Sequence, residues 1–233
     1  MKYVYRFWPL YAMTAVIFVL LAMGADQAIT TVAEHAPLPR NVAIIIDAGH
    51  GGLDGGATSC TGVEESHINL SIARKLEDLC HLLGYSTVMI RREDVSVYTE
   101  GNTIAAKKAS DLRNRVKMVN ETEHGILISI HQNTYVDSRF HGAQVFYAAT
   151  EGSESLAKEI QAMFAATINP GSTRQCKASE HIYLLRNIHR PGVLIECGFL
   201  SNPQEEAKLR HSDYQNQICC VILAGIYSYL ALD

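Results

Sequence analysis

The segment "NVAIIID", Asn41 to Asp47, limits the fold more than any other stretch of this chain. A strand presents alternate residues to opposite faces, and here both faces are apolar. Such a strand must be covered on both sides, as inside a parallel sheet clothed by helices. The rest of the chain supplies the layers. "SHINLSIARKLEDLCHLLG" sets Ile68, Ile72, Leu76, Leu79 and Leu83 at the helical period, and Gly84 is its natural stop. "YSTVMIR" (85–91) predicts a second strand, residues 92–108 a polar surface excursion, and "SDLRNRVKMVNE" (110–121) a helix capped by Ser110 or Asp111. "GILISIH" (125–131) and "GAQVFYAA" predict two more strands, followed by a helix over "SESLAKEIQAMFAATI". Residues 169–179 read as a loop, "HIYLL" as a short strand and "GVLIECGF" as a longer one. A last helix runs from about Asp213 to Leu230. Strands alternating with helices predict an α/β fold: a single-domain three-layer α/β/α sandwich with a mostly parallel or mixed sheet, after an N-terminal apolar helix.

That N-terminal segment differs in kind. Lys2 and Arg6 precede an uncharged run from Trp8 to Gly24. A basic flank before an apolar core marks export or membrane insertion. Residues 1–24 are therefore expected to be a signal peptide or membrane anchor, 25–40 a linker containing "APLPR", and 41–233 the catalytic domain, outside the cytoplasmic membrane. The net charge of −4 and the lack of any Lys/Arg run offer nothing to nucleic acid. Six cysteines occur, at 60, 80, 176, 197, 219 and 220, but no C-x-x-C pair, which argues against a cysteine zinc site.

Ligands of such sheets gather beyond the carboxyl ends of the strands. The first strand runs into "DAGHGGLDGGA", with His50 among five glycines between Gly49 and Gly56. The third ends at His131, the late strand "GVLIE" ends at Glu196, and Glu64 and Glu65 precede the first helix. Two histidines and a carboxylate are the ligands of a catalytic zinc, and a further carboxylate can serve as general base. The residues alone leave open which carboxylate takes which part. Asp47 is expected to support the site through the backbone or the far imidazole nitrogen. No H-E-x-x-H, G-x-S-x-G or G-K-[ST] occurs, which argues against a zinc helix, a serine hydrolase elbow and a phosphate loop.

Four blocks in order, "DAGHGGLDGGA", "ESHINL", Arg115 and Asn120 before "SIHQN", and "PGVLIECGFLSNPQEEAKL", resemble the zinc-dependent N-acetylmuramoyl-L-alanine amidases. The resemblance covers about residues 41–231. It implies that His50, Glu65 and His131 hold Zn2+, that Glu196 is catalytic, and that the substrate is peptidoglycan. It implies hydrolysis of the amide between the lactyl group of N-acetylmuramic acid and L-alanine of the stem peptide. Gln132 departs from the small residue frequent there, and is expected to alter the substrate groove. The single apolar segment and "YLLRNIHRPGVLIECGFLSNP" look like the spore-cortex branch, whose action leads to muramic-δ-lactam and in some lineages involves an activating helper protein. The alternatives are a vegetative autolysin or cell-separation amidase and a non-catalytic wall-binding protein.

Overall fold

The computed structural model describes residues 41–232; the expected export segment at 1–24 and linker at 25–40 lie outside the described residues. One six-stranded sheet is formed by β1 (Ala43–Ala48), β2 (Ser86–Met89), β3 (Gly125–Asn133), β4 (Gln144–Tyr147), β5 (Lys177–Ala178) and β6 (Gly192–Phe199). Its order is β2-β1-β3-β6-β4-β5. Strands β2, β1, β3 and β6 run parallel, while β4 is antiparallel to β6 and parallel to β5. The helices are α1 (Glu65–Leu82), α2 (Ile104–Glu121), α3 (Ser153–Ala166), α4 (Tyr183–Asn187), α5 (Pro203–Leu209) and α6 (Ser212–Leu230). The sheet is mixed and flanked by helices on both faces, as expected.

Ile44, Ile45 and Ile46 of β1 are wholly buried, which requires both layers. Each such side chain contributes about 1.5–3 kcal/mol of burial. On one face Ile45, Leu127 and Leu194 pack with Val119 of α2 and with Leu184, Leu185 and Ile188 around α4. On the other, α6 packs against both α1 and α3. Strand β1 lies between β2 and β3, so the connections diverge there and a crevice opens beyond the carboxyl ends of β1 and β3.

The structure corrects three local readings. Helix α2 begins six residues before Ser110, at Ile104, and Thr103 caps it by accepting from the Ala106 amide at 3.1 Å. Ser110 and Asp111 cap loop backbone instead: Ser110 Oγ accepts from the Thr99 and Glu100 amides, and Asp111 Oδ1 from Val97 at 2.7 Å. Sequence alone cannot tell which backbone amides such a side chain will serve. "HIYLL" enters helix α4, because its apolar run is too short to separate the strand period from Leu184, Leu185 and Ile188 on one helical face. The 169–179 loop contains the two-residue edge strand β5. All six cysteines are unpaired. Among the described residues, no helix is long and apolar enough to cross a membrane.

Candidate active site

The glycine loop after β1 exists because other side chains occupy the space a Cβ would take. A Cβ on Gly49 would stand 2.2 Å from Nε2 of His131, and one on Gly56 would stand 2.6 Å from Oε2 of Glu65. His50 itself adopts φ +61°, a left-handed conformation costing a non-glycine residue about 1–3 kcal/mol. Two buried arginines hold this backbone in place. Arg91 donates to the carbonyls of Ala48, Gly49 and Ser66, and Arg115 to those of Ala48 and His50, all at 2.7–3.1 Å.

This turn brings His50 to His131, with ring centroids 4.9 Å apart and edge-on. Glu65, in the first turn of α1, reaches both. Its Oε2 lies 3.3 Å from His50 Nε2 and its Oε1 3.0 Å from His131 Nδ1. One ligand atom from each of the three residues lies within 4.8 Å of the others. The Glu65 carboxylate, only 3% exposed, also accepts from the amides of Ala57 and Gln132 and from Asn69 Nδ2. Burial would raise its pKa, but the hydrogen bonds and charges of His131 and His50 hold it far below the carboxylate range. Glu64, the neighbouring candidate, is exposed at the N-cap of α1. Two imidazoles and an ionised carboxylate converging on one point form a donor set suited to zinc.

Glu196 lies opposite His131 in the β3–β6 register. Its Oε2 is buried and has no hydrogen-bond partner. Burial is the largest influence on it, and with the Glu65 charge it outweighs the attraction of His131 and His50, pushing the pKa up to about 7. A lone buried carboxylate oxygen is costly to desolvate unless it has a task.

One expectation changes here. Asp47 does not touch an imidazole. It accepts from Arg115 and, at 2.6 Å, from Ser129 Oγ, so it acts on His50 only through the Arg115 contact with the His50 carbonyl. The far nitrogen of His50 is taken by Asp54, whose Oδ2 lies 3.0 Å from Nδ1. Asp54 and Arg91 were not foreseen. Their one signal is a charged residue inside a glycine run or at the end of an apolar strand. Gln132 stands beside the donor set: it is buried, its backbone amide donates to Glu65 Oε1 and its Nε2 to Asn69 Oδ1 on α1, each at 3.1 Å.

The family model described as N-acetylmuramoyl-L-alanine amidase matches residues 44–228. The germination-specific N-acetylmuramoyl-L-alanine amidase of Bacillus subtilis is 38% identical over 188 residues, which cover 80% of this chain and 78% of that protein. The B. subtilis N-acetylmuramoyl-L-alanine amidase LytC is 29% identical over 80% of this chain, a match spanning only 35% of LytC. The structure of the CwlD amidase from Clostridioides difficile, in complex with the GerS lipoprotein, superposes with a TM-score of 0.79 at 38% identity, covering 83% of this chain and 100% of that one.

Proposed function

The chain belongs to the N-acetylmuramoyl-L-alanine amidase family, and from that premise we propose that it is a zinc amidase whose metal is held by His50, Glu65 and His131 and whose proton carrier is Glu196. The enzyme acts on peptidoglycan, at the amide between the lactyl group of N-acetylmuramic acid and L-alanine. The observation that carries the site assignment is the convergence of the three donors within 4.8 Å, beside the Glu196 carboxylate, whose buried Oε2 has no hydrogen-bond partner.

When bound, zinc supplies Lewis acidity at the scissile carbonyl. The remaining work falls to the chain. Glu196 Oε2, free of any competing donor, accepts the proton of the attacking water. It returns that proton to the alanine nitrogen, a poor leaving group until protonated. Asp54 fixes the tilt of the His50 ring, and the Asn69 and amide contacts fix Glu65, so neither swings as charge moves.

The finer reading is a role in spore cortex, as a step toward muramic-δ-lactam. The 38% identity with the germination-specific amidase supports it. Residues 1–24 act as signal or anchor and 25–40 as linker, so that the 41–233 domain works outside the cytoplasmic membrane, with the basic flank retained inside. An activating partner fits this reading, since the CwlD neighbour is held by a lipoprotein. The deciding experiment is mass spectrometry of wall fragments incubated with the purified zinc-loaded protein. Free stem peptides beginning with alanine are expected, from cortex in preference to vegetative wall. Release of sugars or of single amino acids would overturn the bond assignment.

A further inference from the structure

Behind Asp54 lies a small cavity of about 120 Å³ between the glycine loop and the N-terminal part of α2. It is one side chain away from His50, because Asp54 forms part of its wall. Two acids and two lysines line it, so the lining is neutral in sum while its direct pairing is uneven. Both oxygens of Asp111 are taken, by the Val97 amide and by Arg115 Nε. Asp54 Oδ2 is shared by His50 Nδ1 and Lys108 Nζ, each at 3.0 Å. Lys107 is the cation left over. It is half-buried, sits 5.0 Å above the Tyr98 ring, and has no acidic partner among the described residues. The rim is apolar, with Leu53 65% and Ile104 76% exposed, so these side chains are held out toward whatever enters.

A cation without a counter-ion, next to apolar walls, suits a ligand that is anionic and in part aliphatic. Of the two sides of the scissile amide, only the peptide answers that description. The glycan presents hydroxyl and acetamido groups, and its lactyl carboxyl is already bound up in the amide. The peptide presents an alanine methyl and, further along, free carboxylates. We propose that this cavity is the subsite for a carboxylate of the stem peptide, with Lys107 as its counter-ion and Leu53 and Ile104 against the aliphatic part. Lys107 is thus a specificity residue, and the peptide leaves the metal site toward α2. The assignment rests on the amidase reading.

The test compares soluble wall fragments whose acidic stem residue is either a free carboxylate or a carboxamide. The wild-type enzyme should prefer the carboxylate through KM, and Lys107→Gln should raise KM for that substrate by about tenfold, the share of one charge-assisted contact. Uniform binding energy lies in KM, so kcat should change by less than about twofold, and the carboxamide substrate should be unaffected. Lys107→Arg should restore the preference. Equal treatment of both substrates by the wild type, or equal loss on both in Lys107→Gln, would overturn the subsite. Calorimetry with the alanine-first acidic peptide and its carboxamide reads the subsite without turnover. Selective binding of the acid, abolished in Lys107→Gln, supports it even where no peptide is released and the amidase reading itself has failed. Equal or undetectable binding of both peptides removes it.

Discussion

His131 and Glu196 stand directly across from one another on β3 and β6, so a candidate metal ligand and a half-buried glutamate share one rung of the sheet. The rung sets their spacing through backbone hydrogen bonds rather than through a flexible loop. Replacing either side chain should therefore change chemistry before it changes architecture.

Glu196→Gln keeps the shape and removes the basicity. The variant should retain near-normal zinc and wall binding and lose about 10²–10⁴-fold in rate, the usual share of general acid–base catalysis. Metal analysis beside stem-peptide release checks both. Loss of zinc would make Glu196 a ligand, and retained activity would hand the proton to another group.

Glu65→Ala should lower zinc content well below the one equivalent expected per chain, whereas Glu64→Ala should leave it unchanged. The physical difference is that Glu65 lies between the two imidazoles and Glu64 is exposed. Elemental analysis after dialysis separates them, and the reverse pattern would move the site by one residue.

Asp54→Ala frees the Nδ1 side of His50. Zinc affinity should fall by about 10–100-fold, as when a ligand's outer hydrogen-bond partner is removed. Competition with a chelator measures it. Unchanged affinity would mean that the arginine-held backbone alone orients the ring.

Burial acts to raise the Asp47 carboxyl, but the charges of Arg115 and His131, with hydrogen bonds from Ser129 and Arg115, hold it below its ordinary value. A depressed folded pKa contributes stability that is complete above the unfolded value of about 4 and lost as pH falls through the folded one. Asp47→Asn should cost about 1–3 kcal/mol at pH 7, since the buried Arg115 loses one of its two carboxylate partners and keeps Asp111. The deficit relative to wild type should shrink as pH is lowered below about 4. Denaturant unfolding at the two pH values tests this, and a constant deficit would show that the carboxyl does not titrate with folding.

In a spore-forming host, deletion of the gene should leave cortex without muramic-δ-lactam and spores that germinate poorly. Normal lactam would reassign the enzyme to vegetative wall. A reporter fused at Asp233 should be active only in the exported compartment, and activity in the cytoplasm would contradict the placement of the domain.

Periodicity was enough to read the layers, because β1, β3 and β6 are apolar on both faces and nothing but a covered sheet accommodates them. It was enough to place His50 just beyond β1, but β3 runs on to Asn133 and β6 to Phe199, so His131 and Glu196 lie within their strands rather than at the ends. Choosing Glu65 over Glu64 took the family's spacing, since both stand at a helix start and only the turn after β1 distinguishes them. Arg91 and Asp54 stayed hidden for a related reason. Their partners are backbone carbonyls and a ring nitrogen brought near by tertiary contacts, and no sequence interval encodes those.

Gly49 gives the site an unusual genetic exposure. A single nucleotide change can turn its codon into one for alanine, and the three atoms nearest the added methyl would all belong to the His131 ring. A Gly49→Ala protein should melt close to the parent and yet hold little zinc. Loss of catalysis is therefore one mutational step away, with the fold and the wall-facing surface left for selection to keep. A duplicated copy could become a wall-binding paralogue by that route, without passing through an unfolded intermediate.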